Sequence, residues 1–557
     1  RAEVPGAVGP REEDVYAHGC ILGSALPVVQ PVRPLPSQLV QNPAMGLAGR
    51  ERTGGNQRTR LLAALLTVAL LAAAYVGRAV VSIDAAEIVS VTLGFLVLGR
   101  FEAAMIPTQE LLPQLAFQSH YGLFPSLVPL PFLAPAWPFR AALGPRGLDA
   151  VVALTWAVGC LLASAGFLSL VRRLRPGASP LWLPAFLGGT FLWPYAADSF
   201  FDPWSAAFFA FGSARILAGD EGRPRVRAAI LAGLLWSCGC WLRPLLWITA
   251  PGFLLAGLLR WRRAANGAAC GTGLAAALLA GVGVALSVNA VYHGNPLHFG
   301  YELRPDLPFS GSLLAGFVGL TVSPGRGVFL YAPLAIVALL ALRRLSPALL
   351  VLCFGIPTIL ILVVARWYVW FGGSCWGPRY LIPVLPLLIA PAVLGTRRLA
   401  VVATVVGGVV NSSGVLVAPG AWISYAELLK PPASAGWPVA GGDRVSTIPS
   451  LTPLYGHAWL LAESVLPGTL PAPWLSAGAV ETAKRPGPAE FISPWVVRRL
   501  AGLRDIYPFV PRLLLRVSIA YVMRDRPVEA VRFARIVLQI SPGDADAEAI
   551  VRNEGRR

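Results

Sequence analysis

Charge is what this sequence has least of. Only 13% of its 557 residues are Asp, Glu, Lys or Arg, against 55% hydrophobic residues and a mean hydropathy of +0.63; soluble domains carry about 25% charged residues. Lysine is nearly absent, with Lys430 and Lys484 the only two, so the formal charge of +18 is carried by arginine. Histidine and methionine number five and three. The seven cysteines (Cys20, Cys160, Cys238, Cys240, Cys270, Cys353 and Cys375) keep no metal or disulfide spacing, and those in apolar runs read as small buried hydrophobes. A basic chain suggests nucleic acid, but here the arginines do not gather on one soluble face. They punctuate apolar blocks, at 172–175, 215–227, 260–263, 343–344 and 397–398. Nucleic-acid binding is thereby set aside.

Apolar blocks of about 16 to 24 residues match the length needed to cross about 30 Å of hydrocarbon. The expected fold is an all-α polytopic membrane protein with about eleven crossings, near 61–82, 148–171, 180–198, 203–219, 227–243, 245–260, 268–291, 327–342, 347–365, 380–396 and 399–418. Short basic loops belong on the cytoplasmic side, which sets the amino terminus inside, the region after 420 outside, and the protein in the inner (plasma) membrane. Residues 1–60 read as a disordered or non-native extension, with Met45 as the expected start. Residues 61–419 form the membrane domain. The proline-broken stretches between 84 and 147 read as outer helices in the interface plane. Residues 420–557 read as an extracytoplasmic region ending in a tetratricopeptide-like hairpin near 517–550.

On the outer side the polar residues collect from five loops: Asp84 and Glu87; His120 and Tyr121; Asp198 and Asp202; His293, His298, Tyr301, Glu302, Arg304 and Asp306; and Arg326, Arg366, Arg379 and Tyr380. Carboxylates serve as general bases, arginines present forks matched to phosphate oxygens, and tryptophans such as Trp367, Trp370 and Trp376 offer flat faces to sugars or lipid. A cavity holding all three suits a substrate made of lipid, phosphate and sugar. His293 and His298 would need Glu302, Asp306 or Asp202 to complete a metal site, and no metal or other cofactor is expected.

The segments "SID" at 82–84, "HYGLFPSLVPLPFLAP" from 120, "NAVYHGNPLHFGY" at 289–301, "LTVSPGRGVFLYAPL" at 320–334 and "WYVWFGGSCWGPRYLIPVLPLL" at 367–388 together resemble the GT-C superfamily of membrane glycosyltransferases, in a branch akin to protein O-mannosyltransferases and lipid A aminoarabinose transferases. The resemblance spans roughly residues 60–400. It implies a sugar passed from a polyprenyl-phosphate donor to a lipid, glycan or protein acceptor at the outer face. Asp84 matches the superfamily's acidic position, although Ala85 follows where an adjacent second acid is usual and Glu87 is the next carboxylate. The expected site is therefore Asp84 and Glu87 for catalysis, with Arg326, Arg379, Arg366, Tyr380, Trp376, His298 and Tyr301 binding substrate and no metal. The alternative is a transporter or flippase for a polyprenyl-linked glycan, which calls for broken helices and charge near the midplane.

Overall fold

The computed structural model describes residues 51–75, 122–196, 201–218, 224–299, 309–373, 375–416, 452–458 and 527–554, with isolated positions at 88–89, 91–92, 95–96, 515 and 518. Asp84, Glu87, His120, Tyr121, Asp198, Tyr301, Glu302, Arg304 and Asp306 lie outside them. The chain divides into two units, 1–54 and 55–557, and the second holds the apolar helical bundle.

Every described element is helical. Helices of nine residues or more are α1 Glu51–Tyr75, α2 Arg140–Leu174, α3 Asp202–Ile216, α4 Val226–Leu242, α5 Ala250–Trp261, α6 Gly267–His293, α7 Leu313–Thr321, α8 Ile356–Arg366, α9 Arg397–Leu416, α10 Pro527–Ile540 and α11 Ala545–Glu554. Six stretches are long and apolar enough to cross a membrane: Gln57–Tyr75, Ala150–Leu174, Pro244–Trp261, Gly267–His293, Pro347–Arg366 and Arg397–Leu416. Each falls on one of the eleven expected segments. Their outer faces carry bare aliphatic side chains, among them Leu279, Val291, Val402, Val405 and Val409, as contact with lipid requires.

The other five segments are shorter or broken. Val226–Leu242 and Arg379–Leu394 are apolar but under 18 residues, and α3, at 15 residues, is only about 22 Å long. Segment 180–198 splits into Trp182–Gly188 and a 3-10 turn at Trp193–Ala196, and 327–342 splits at Pro333 into Val328–Tyr331 and Leu334–Leu340. Proline supplies no amide hydrogen and clashes with the preceding turn. Pro383, Pro386 and Pro391 accordingly divide 379–394 into a 3-10 turn, a five-residue helix and a second 3-10 turn. Such backbone is tolerated at membrane depth where protein surrounds it, and Leu381 to Val393 are buried throughout. The expected outer stretch 124–139 appears as the short helices Leu123–Leu127 and Leu130–Ala136, the latter packed on α2.

The core is a row of neighbours: α2 packs on α3, α3 on α4, and α4 on α6, with α3 also resting against the turn Arg379–Val384. Close approach depends on missing side chains. A Cβ at Gly239 of α4 would stand 2.6 Å from the Phe209 ring of α3. Beside that crossing Phe209, Trp236 and Phe253 form a stack, with centroids 3.7 and 3.8 Å apart. Each such pair adds about 0.5–1.5 kcal/mol beyond its buried area. In the C-terminal region α10 and α11 form a hairpin. Gly543 turns it at φ +85°, the Asp544 carboxylate caps α11 by accepting from the Ala547 amide at 3.0 Å, and Ala530, Ala534, Val537 and Ala547 are buried.

Candidate functional site

Arg243 ends α4 because Pro244 follows it. The residue before a proline is driven out of helical geometry, and Arg243 is extended at φ −141°, ψ 96°. Its side chain turns inward to Asp202, the first residue of α3, where the helix amides favour negative charge. The pair is bidentate: Arg243 Nε donates to Asp202 Oδ1 at 2.6 Å and Nη2 to Oδ2 at 2.9 Å, with the two residues 2% and 0% exposed. Two parallel charge-assisted bonds fix the guanidinium plane. The rings of Phe201 and Tyr380 hold it as well, with centroids 5.1 and 4.9 Å from Arg243 Cζ, a distance at which a ring face attracts a cation. Arg379 completes the group, its Nε 3.9 Å from Asp202 Oδ2 and its Cζ 5.3 Å from the Tyr380 ring.

Arg243 and Tyr380 line a cavity of about 410 Å³, within the usual 300–1,000 Å³ of small-molecule sites. Its other walls are apolar: Pro244, Leu245 and Trp247 after the α4 break, Val282, Ala285 and Leu286 on α6, Val364 and Trp367 at the end of α8, and Phe299 and Phe309. The space suits an apolar body, and among the described residues Arg243 is the one charged residue in its lining. A second, water-sized space shares Pro244, Trp247, Ala285 and Phe299 with it and is bordered by Asn289 and His293.

Of the residues expected from sequence to bind substrate, Arg379 and Tyr380 come to this cluster. Tyr301 lies outside the described residues, and the other four are placed elsewhere. Arg326, 1% exposed, is spent on backbone: Nη1 donates to the carbonyls of Cys375 and, at 3.2 Å, Gly377, and Nη2 to that of Gly373 at 2.6 Å. Trp376 is a core residue, not a wall of the cavity. It is fully buried, its Nε1 donates to Asn411 Oδ1 at 2.9 Å, and its ring meets those of Tyr331 and His457. Arg366 is exposed at the end of α8 and donates to the Gly311 carbonyl at 2.9 Å. The His298 ring lies 4.5 Å from that of His293 and does not border the larger cavity. Among the described residues no three His, Cys, Asp or Glu side chains gather as metal ligands.

The glycines of "FGGSCWGP" find their reason here. Gly372, Gly373 and Gly377 have φ of +77°, +73° and +60°, a region other residues avoid. What sequence reasoning missed is the pairing of Asp202 with Arg243. The available signal was an Arg-Pro break deep in an apolar run, and an aspartate opening another apolar helix. No protein-family model, curated protein or solved structure matches this chain.

Proposed function

We propose that this chain is a GT-C-type membrane glycosyltransferase, moving a sugar from a polyprenyl-phosphate donor to a lipid, glycan or protein acceptor at the outer face of the membrane. The observation that carries the reading is the apolar cavity whose lining includes Arg243 and Tyr380, with Asp202 paired to Arg243 and Arg379 lying against Asp202 and Tyr380. A long isoprenoid chain matches the chemistry of its apolar walls, and a phosphate that of Arg243. In this mechanism the apolar chain lies against Trp247, Leu286 and Val364. The donor phosphate meets guanidinium groups already oriented by Asp202, so little reorganisation is needed as negative charge develops on the leaving phosphate. The acceptor hydroxyl gives its proton to Asp84 or Glu87, the acids the resemblance assigns to this task. Its oxygen then bonds to the anomeric carbon as the bond from that carbon to the phosphate oxygen breaks.

The alternative, a flippase for a polyprenyl-linked glycan, draws on the broken segments 180–198, 327–342 and 379–394 and on Arg243 at a helix break, features expected of transporters. One experiment separates the two. The purified protein is placed in vesicles with lipid-linked sugars extracted from its host, and both product glycans and sidedness are followed by mass spectrometry. A new glycosidic product that is lost in Asp84→Asn and Glu87→Gln together supports transfer. Movement of intact donor between leaflets without product would replace it with the flippase.

A further inference from the structure

We propose that Arg326 is a positioning residue: it fills a ring of backbone carbonyls at Gly373, Cys375 and Gly377 and so fixes the turn that sets Tyr380 in the cavity wall and Arg379 against Asp202. Ligand binding as a readout of this tether rests on the proposed function. The tether itself does not.

A guanidinium carries its N–H groups in a rigid plane, and here that plane is set among alternate carbonyls of one short loop. Nη1 serves Cys375 and Gly377, Nη2 serves Gly373, and the Cys375 sulfur stands 3.3 Å from Nη1. Three left-handed glycines turn the chain around it. Arg326 is itself fixed, its amide donating to Ser323 Oγ at 3.0 Å while that hydroxyl donates to the Gly319 carbonyl at 2.7 Å. The link to the site is one oxygen: the Gly377 carbonyl that accepts from Arg326 also accepts from the backbone amide of Arg379 at 3.1 Å. The tether therefore ends on the atom that starts the turn carrying Arg379 and Tyr380.

Two other side chains clamp the same loop from other elements. Tyr195 donates its hydroxyl to the Trp376 carbonyl at 2.7 Å, and Asn411 accepts from the Trp376 indole. Direct phosphate binding by Arg326 would strip three carbonyls of their donor in a buried setting, and each unpaired group is costly. A lysine, with one nitrogen, cannot span the three positions.

The test uses the full chain in nanodiscs and two variants. Arg326→Lys removes the fork. Gly373→Ala keeps Arg326 but disturbs the loop, and since nothing lies within 4 Å of the added Cβ, its effect comes from the positive φ alone. Maleimide labelling of Cys375, followed by peptide mass spectrometry, and hydrogen exchange at the Arg379 amide are each expected to quicken at least tenfold in both variants. Affinity for undecaprenyl phosphate, read by tryptophan fluorescence, is expected to fall about tenfold in each. In an Arg379→Ala background, adding Arg326→Lys is expected to change it less than twofold.

Unchanged labelling and exchange in both variants would overturn the tether. A full, additive loss in the double variant would make Arg326 a direct ligand and overturn the positioning role. Should Arg326→Lys not fold, Gly373→Ala decides by labelling and exchange. A wild-type protein that does not bind undecaprenyl phosphate overturns the proposed function, and the two ligand-free measurements still judge the tether.

Discussion

Arg326 and Arg243 are the two most deeply buried arginines among the described residues, and they are put to opposite uses. Arg243 meets a carboxylate and forms part of a cavity wall; Arg326 meets carbonyls of one loop and forms none. Both follow glycine, proline or apolar residues at the edge of a hydrophobic run, so their local sequences look alike. What separates them is the acceptor that the fold brings. Asp202 lies 41 residues before Arg243, and the carbonyls lie 47 to 51 residues after Arg326. A carboxylate partner holds a charge that a substrate can still feel, whereas the carbonyls around Arg326 engage both of its Nη groups.

The contrast between them breaks most visibly at Asp202. Asp202→Ala leaves Arg243 charged and buried without its carboxylate, a change that costs about 3–5 kcal/mol, and a large loss of folded yield and thermal stability in detergent is expected. The paired variant Asp202→Leu with Arg243→Met removes both charges. Replacing buried ion pairs with apolar groups is often neutral or better, so stability is expected to return while undecaprenyl phosphate binding does not. A double variant that is as unstable as Asp202→Ala would show that the pair serves the fold and not the cavity.

The loop side gives the next largest effect. Asn411 accepts from Trp376 and donates to the carbonyls of Tyr331 and Gly407 at 2.9 and 2.7 Å. Asn411→Leu strands those groups in the interior, at about 1–3 kcal/mol. A melting temperature lowered by several degrees is the expected result, measured in the same detergent. A variant as stable as wild type would mean that the loop is held by Arg326 and Tyr195 alone.

Much of this architecture is legible in the sequence, and the limit has a physical cause. Six expected crossings emerge as long helices because an unbroken apolar run in lipid must satisfy its own backbone, which a helix does locally. The runs at 327–342 and 380–396 are as apolar, yet Pro333, Pro383, Pro386 and Pro391 break them, and burial in protein makes the breaks tolerable. Helix α7 falls within an expected outer stretch, since nine residues cannot span a bilayer. At the site, Arg379 and Tyr380 are legible from an arginine opening an apolar run after Gly-Pro. Arg326, in a similar setting, draws the same expectation, because hydropathy and spacing carry no record of which distant carbonyls a fold will aim at a guanidinium. Asp202 and Arg243 escape as a pair for the same reason.

Arg379→Lys sharpens the contrast within the cavity cluster. It keeps the positive charge near Asp202 and loses the planar fork that grips two phosphate oxygens. A phosphate-binding role predicts a loss of about 1–3 kcal/mol, or about 10- to 100-fold, in donor affinity or in kcat/KM, with little change in melting temperature. An unchanged affinity would remove Arg379 from the site and leave Arg243 and Tyr380 as its polar end.

The smallest effect belongs to Arg366, which sequence alone sets beside Arg379. It is exposed at the last turn of α8, gives one hydrogen bond to the Gly311 carbonyl, and that glycine's amide donates back to the Arg366 carbonyl at 3.0 Å. The second bond is backbone to backbone and survives any substitution of the side chain. Arginine and lysine at a helix end both bury their stems and keep the charge in water, and a cation there complements the helix dipole whichever residue supplies it. Arg366→Lys is therefore expected to change undecaprenyl phosphate affinity less than twofold and to leave the melting temperature where it was. A tenfold loss would place Arg366 on the substrate and extend the charged part of the site beyond the cavity to the last turn of α8.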